Sequence, residues 1–334
     1  MSDIAYSLNN QLNSNCYKNT FPISIAPMMD RTDIHFRELM RLITKKTLLY
    51  TEMINVNSIV YSNKKRFLNE CQTEGPLALQ IGISDTKLIP DFCKIISNTN
   101  FYEININCGC PSNKVIKGSF GASMMKNPSL VGKIIYSLKN SSDIPITVKT
   151  RIGIDNNCSK EFLYKFVQSC TENGAEKIII HARKAILKGL SPRDNRTIPP
   201  LNYERVKSVK NKFKNHKIYI NGGIRTIEDG NALLKFFDGF MIGRAAWDTP
   251  WMFSKIDKNS VSRLNVIDKY LGYAEEMSKL GYSKTILLKP IFNLFHGMSG
   301  SKIWKQTLNS FSFEYGSLNK LYNLANKIER HEYT

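Results

Sequence analysis

The chain has 334 residues, 42% of them hydrophobic, which is enough for one large core and a smaller appendage. It contains no apolar run of the ~18 residues a membrane span needs, no basic-then-apolar opening segment and no repeated Cys-x-x-Cys pair among its seven cysteines, so a soluble, cytoplasmic protein with reduced thiols and no metal is expected. A formal charge of +19 admits a polyanionic partner without requiring one, because lysine is over-used along the whole chain.

Residues 1–20 are polar and Asn-rich and read as a loosely held lead-in. Short runs rich in β-branched residues then recur at 23–29, 48–54, 76–82, 101–109, 145–152, 177–183, 217–224 and 239–245. Helical patterns lie between them, among them 33–43, 88–97, 128–138, 160–172, 203–212 and 227–237, several opened by Ser, Thr, Asn or Asp. Eight βα units across 21–257 predict a (β/α)8 TIM barrel, a fold whose sites lie at the carboxyl ends of the strands. Beyond that only helical patterns remain, at 265–279, 284–295, 302–311 and 318–330, which predicts a small all-α domain over 258–334.

The fourth run alternates. Ile104 and Ile106 fall on one face, Glu103, Asn105 and Asn107 on the other, so the second face must look into a polar interior. The strand breaks at Gly109 and Pro111, and Cys110 stands on that turn. Other strand ends carry Gln80, Lys149 with Arg151, His181 with Arg183, Asn221 and Arg244, and within each pair the spacing of two points both side chains the same way. Any one of these is an ordinary satisfied polar residue; a ring of amides and cations at one mouth points to a ligand. Asn221-Gly222-Gly223 and Gly243-Arg244, at consecutive strand ends, look like phosphate cradles. The connection after the sixth strand, 181–201, is long where such loops usually take ~2–6 residues, and it holds three prolines with Arg183, Lys184, Arg193 and Arg196. In the tail, Lys284, Lys289, Lys302 and Lys305 are the candidate cations for a large anionic ligand.

The segments Ala26-Pro-Met-Met-Asp, Leu49-Tyr-Thr-Glu-Met, Leu79-Gln, Ile104-Asn-Ile-Asn-Cys-Gly-Cys-Pro-Ser, Val148-Lys-Thr-Arg-Ile-Gly, His181-Ala-Arg-Lys and Ile220-Asn-Gly-Gly-Ile resemble, in order, those of the tRNA-dihydrouridine synthases. The Gly189-Leu-Ser-Pro loop with Ile198-Pro-Pro-Leu is similar to the A-type subfamily. The resemblance implies FMN on the barrel, NADPH as reductant with NADH as the alternative, a monomer, and reduction of D-loop uridines at tRNA positions 20 and 20a. It also implies that Cys110 donates the proton to C5 while the flavin delivers hydride to C6. Hydride addition builds negative charge on C5 and O4, so an acid must stand on the opposite face, and a free thiol of pKa ~8.5 carries its proton at neutral pH.

By the same resemblance Asn107 holds the uridine, Pro27, Met28 and Met29 form a wall against the flavin, Gln80, Lys149 and His181 contact its ring, and Asn221, Gly222, Gly223, Gly243 and Arg244 bind its phosphate. Arg183, Lys184, Arg193, Arg196, Lys302 and Lys305 are then the expected tRNA contacts. The chain departs from the family at Arg31, where Trp is usual, and around Trp304, where Lys302, Lys305 and Gln306 replace arginine-rich neighbours; Cys108 is extra. Two other readings remain in view: a dihydroorotate or dihydropyrimidine dehydrogenase-type flavoenzyme, against which the helical tail and cationic loop argue, and a tRNA-binding protein without turnover, against which the set Asn107, Cys110, Lys149 and His181 argues.

Overall fold

Eight parallel strands form the ring expected from the repeated βα pattern: β1 (Ile23–Ile25), β2 (Leu49–Tyr50, resumed at Ile54–Asn55), β3 (Leu77–Gly82), β4 (Glu103–Cys108), β5 (Ile146–Arg151), β6 (Lys177–His181), β7 (Lys217–Asn221) and β8 (Gly239–Ile242). The ring closes through a bridge between Ser24 and Leu48, where the Ile25 N–H donates to the Leu48 carbonyl at 3.0 Å. This computed structural model describes residues 21–62, 67–68, 71, 75–257 and 261–331; the lead-in expected at 1–20 and the junction 258–260 lie outside the described residues.

The strands are shorter than the apolar runs that announced them. β1 stops before Pro27, which has no N–H to offer a ladder. β2 is interrupted at Thr51, whose hydroxyl accepts the Gln80 N–H at 3.0 Å, and pairing with β3 resumes at Ile54. A helix the pattern did not announce, Val56–Tyr61, follows it. Elsewhere the cap residues start helices as expected: Asp33, Asn127, Ser159, Asn202 and Thr226 each accept a first-turn backbone N–H, satisfying a donor the helix cannot.

Ile104 and Ile106 face outward into the apolar layer between sheet and helices. Inside the ring a small apolar cluster including Leu48, Tyr50, Tyr219 and Met241 packs at the floor, and the polar face of β4 rises beside it. The tail is helical at Arg263–Lys279, Lys284–Leu288, Ser301–Asn309 and Tyr315–Glu329. The single helix expected over 284–295 gives way at Lys289–Asn293 to a 3-10 turn, because Pro290 cannot continue an α-helix. The tail packs on the barrel helix Ile34–Ile43, with His35 Nδ1 2.8 Å from the Tyr273 hydroxyl, and its apolar residues join the barrel's outer cluster without a break. Arg31, the residue that departs from the family, lies 5.6 Å over the Trp247 ring. Among the described residues no helix is long and apolar enough to cross a membrane, and no group of three or more His, Cys, Asp or Glu is arranged to hold a metal.

Candidate active site

The break after β4 is held by one side chain. Asn107 Oδ1 accepts the backbone N–H of Gly109 at 3.1 Å and of Cys110 at 2.9 Å, while Asn107 Nδ2 donates to Gln80 Oε1 at 2.9 Å. The Cys110 carbonyl accepts from Ala122 N–H, and the preceding Gly121, at φ +73°, must lack a side chain because a Cβ there would come within 2.7 Å of that carbonyl. Cys110 is thereby presented half-buried, its Sγ 3.6 Å from Ser112 Oγ. Cys108, two residues earlier, is fully buried among apolar side chains, and burial pushes its thiol far up from the ordinary cysteine value.

Cys110 lines an open cavity of about 1780 Å³ at the carboxyl ends of the strands. Gln80 and Asn107 lie at its base, Met28 and Met29 form one wall, Lys149 and Arg151 stand beside the cysteine, and His181 lines the cavity next to Gly222. Asn221 is fixed by donating to the Met241 carbonyl at 2.7 Å, and Tyr203 holds the Gly222 carbonyl at 2.6 Å. Withdrawal from water, followed by the Arg151 guanidinium, pushes the Lys149 ammonium down to about 7, with Cys110 opposing. Burial, then Arg151, Lys149, Arg183 and Arg244, hold His181 well below the ordinary histidine value, so the imidazole is neutral at pH 7.

Not every sequence-predicted cation reaches this cavity. Arg183, Arg196 and Arg244 line it, and Arg244 donates to the Arg196 carbonyl at 3.1 Å. Lys184 does not: its ammonium lies 3.1 Å from the Asp155 carbonyl. Arg193 is exposed outside the cavity, and Lys302 and Lys305 belong to the tail helix Ser301–Asn309. Lys284 and Lys289 are tied to the carbonyls of Phe311 and Asp30, each at 2.7 Å.

Three positions in and around the site carry roles that the strand pattern did not reveal. Asn195 is the hub of the 181–201 loop, accepting Ile186 N–H at 2.7 Å and donating to the Ile186 and Ser191 carbonyls. Glu52 accepts the backbone N–H groups of Asp30 and Arg31, and burial, Asp33 and Asp30 raise its carboxyl; Oε1 has no partner among the described residues. Asp30 stands at φ +60°, so Glu52 braces a strained turn next to Met28 and Met29. An acid following a strand-end Thr was a visible signal in the sequence, whereas one more Asn in a loop was not. The third is Arg151, whose fork joins the Gly109 carbonyl (2.9 Å), the Lys184 carbonyl (3.1 Å) and the Asn195 carbonyl (2.9 Å), clamping the Cys110 turn to the loop. Arg151→Lys keeps a charge and loses the fork, so it is expected to cost about 2 kcal/mol and to hasten tryptic cleavage at Arg193 or Arg196. Unchanged melting and cleavage would mean that Asn195 alone holds the loop.

The lining of the cavity fits the flat, anionic flavin mononucleotide that the family resemblance implies. Among the described residues none of Lys149, Arg151, Arg183, Arg196 and Arg244 has a carboxylate partner, which leaves these cations available to an anionic ligand. Gly222 and Gly223 stand at φ +105° and +78°, and a Cβ on Gly223 would lie 2.4 Å from Leu201, so the strand-end turn presents bare backbone to a ligand. His181 Nδ1 is buried without a hydrogen-bond partner among the described residues.

A family model described as dihydrouridine synthase (Dus) matches residues 24–329. The chain is 41% identical over 295 residues to the tRNA-dihydrouridine(20/20a) synthase of Synechocystis sp., covering 86% of this chain and 88% of that one. It is 40% identical to the protein of the same name from Shewanella oneidensis, covering 90% and 92%, and 40% identical to that of Vibrio vulnificus, covering 88% and 93%.

Proposed function

Because the chain belongs to the dihydrouridine synthase family, we propose that it reduces uridine to 5,6-dihydrouridine in tRNA, at positions 20 and 20a, with FMN as cofactor and NADPH as reductant. One observation carries this reading: a half-buried cysteine on a held turn lines the same cavity as cations that have no acidic partners among the described residues. On this reading the protein is a cytoplasmic monomer; the strand ends around the cavity all come from one chain.

Gly222, Gly223, Gly243, Arg244 and Asn221 would hold the FMN phosphate, Pro27, Met28 and Met29 one side of the ring system, and Gln80, Lys149 and His181 its polar edge. When bound, FMN supplies the hydride that goes to C6 of the uracil. Cys110 gives its proton to C5, where negative charge gathers. Asn107 keeps the Cys110 backbone in place and retains one N–H for the uracil. His181, being neutral, can accept or donate without adding charge. Arg183, Lys184, Arg193 and Arg196 on the loop and Lys302 and Lys305 on the tail contact tRNA phosphates, with the tail from 258 onward acting as the tRNA-binding part. Flavin identified in denatured purified protein, together with dihydrouridine appearing in tRNA that lacks it, tests the reading; a colourless protein that leaves such tRNA unmodified sinks it.

Lys149 adds a test through protons. In the flavin-free protein its pKa near 7 leaves it mostly neutral at pH 8, and an anionic ligand restores its charge. FMN binding at pH 8 is therefore expected to take up roughly 0.5–1 proton in calorimetry across buffers of different ionisation enthalpy, and Lys149→Met to abolish the uptake. For the free protein the sign is fixed: the unfolded chain binds the extra proton between about 7 and 10.4, so Lys149 makes stability rise with pH across that window. Equal proton uptake by wild type and Lys149→Met would remove Lys149 from the flavin.

A further inference from the structure

The polar face of β4 continues below the cavity as a single hydrogen-bond chain. From the mouth downward, the Cys110 N–H donates to Asn107 Oδ1 (2.9 Å), Asn107 Nδ2 to Gln80 Oε1 (2.9 Å) and Gln80 Nε2 to Asn105 Oδ1 (2.8 Å). Asn105 Nδ2 then donates to Thr147 Oγ1 (2.8 Å), and the Thr147 hydroxyl to Glu103 Oε1 (2.9 Å). At the floor Glu103 also accepts from the Tyr50 hydroxyl and, through Oε2, from the Lys177 ammonium at 2.5 Å. Gln80, Asn105 and Thr147 can link because they lie side by side in register on β3, β4 and β5. Gln80, Glu103, Asn105 and Thr147 are each 2% exposed or less, so water cannot replace a missing link.

Every link runs in one sense, with the donor nearer the mouth. The floor and the turn at the mouth require the same sense. As the carboxylate of an ion pair, Glu103 can only accept, so the single hydroxyl proton of Thr147 must go to it. Tyr50 offers no alternative, since burial and Glu103 hold its hydroxyl well above the ordinary tyrosine value and keep it a donor. Thr147 must then accept from Asn105, which fixes the Asn105 amide; that fixes Gln80, and Gln80 fixes Asn107. A reversed chain would turn the Asn107 NH2 toward the N–H groups of Gly109 and Cys110, donor against donor. Stability alone does not account for the column, because barrels are commonly filled by branched apolar side chains and buried ion pairs are often replaceable by them.

We propose, resting on Cys110 as the proton donor assigned above, that Glu103 and Thr147 are positioning residues: they set the sense of the chain and so hand the carbonyl of Asn107 to the turn that carries Cys110. Thr147→Val keeps the shape and deletes the link. With saturating tRNA it is expected to slow single-turnover dihydrouridine formation roughly ten- to a hundredfold, the cost of a small misplacement of a reacting group, while leaving tRNA affinity unchanged. Alkylation of Cys110 by iodoacetamide, followed by peptide mass spectrometry, is expected to run about threefold faster or more as the turn loosens. Thr147→Ser, which restores the hydroxyl, is expected to restore both.

Wild-type rates and wild-type alkylation in Thr147→Val overturn the proposal, and so does a loss that Thr147→Ser fails to rescue, which would mark it as packing. If Thr147→Val does not fold, Glu103→Gln with Lys177→Met removes the acceptor-only floor without stranding an ammonium, and the same two readouts decide. A wild-type protein that forms no dihydrouridine would sink the functional reading, and the alkylation comparison would still decide the chain.

Discussion

Cys110→Ala is expected to retain flavin as the wild type does and to lose dihydrouridine formation by roughly 10²–10⁴-fold, the range that a positioned general acid contributes. Cys108→Ala is expected to stay near the wild-type rate. Their surroundings account for the difference. Cys110 is half-buried on the cavity wall, on a turn pinned by Asn107 and packed against Gly121. Cys108 points into the apolar layer outside the ring, where burial holds its proton tightly and no substrate can approach. Removing its sulfur leaves a small void, costing about 1 kcal/mol of stability and not the reaction. Dihydrouridine per tRNA in a single turnover, with flavin content measured on the same samples, separates the two variants. A Cys110→Ala enzyme with wild-type turnover would remove the thiol from the proton transfer.

The double variant Lys302→Glu/Lys305→Glu is expected to weaken tRNA binding by at least about tenfold near 50 mM salt and to flatten the salt dependence by roughly 0.7–0.9 per lost phosphate contact. NADPH should bleach its flavin at the wild-type rate. Both lysines lie on the helix Ser301–Asn309, either side of Trp304, which is buried, packs edge-on to Phe295 with centroids 4.8 Å apart and donates its indole N–H to the Ile291 carbonyl at 2.9 Å. The helix is anchored by that tryptophan while Lys302 is exposed and Lys305 half-buried. Reversing their charge therefore tests binding without unpacking the tail. Deleting the tail after Asp257 would be a poorer test, because it would strip His35 of Tyr273, the Asp30 carbonyl of Lys289 and the Trp247 carbonyl of Asn293, and open a shared apolar cluster. Filter binding across a salt series is the measurement. A variant that binds tRNA with unchanged affinity and slope would take these lysines out of the interface.

Much of this was present in the linear pattern. Alternation along 103–107 was enough to put two isoleucines outward and a carboxylate and two amides inward, because a strand's side chains change face at every residue whatever surrounds it. The βα repeat determined the barrel, and the barrel in turn placed Gln80, Lys149, His181, Asn221 and Arg244 around one mouth. Local chemistry also set the helix starts at Asp33, Ser159 and Thr226, where a side-chain oxygen reaches a first-turn N–H without help from the rest of the chain. Pro290 is an equally local signal, although the apolar periodicity of 284–295 runs through it.

Tertiary structure decided what depends on partners far away in sequence. Nothing within β4 says that Asn105 will stand between Gln80 and Thr147; that is a matter of register among three strands, settled by the packing of the whole ring. For the same reason Glu103, which by alternation alone belonged with the site, proves to be the floor of the barrel, held by Lys177 and Tyr50. The loop after β6 was the least legible part. The Lys184 ammonium goes to the Asp155 carbonyl, Asn195 gathers the loop around itself, and Arg151, at the end of β5, spends its fork on three carbonyls, because buried peptide groups in irregular backbone must find partners and the nearest polar side chains supply them. Periodicity determined which way each strand residue faces; long-range register and the satisfaction of buried backbone decided which of those residues meet.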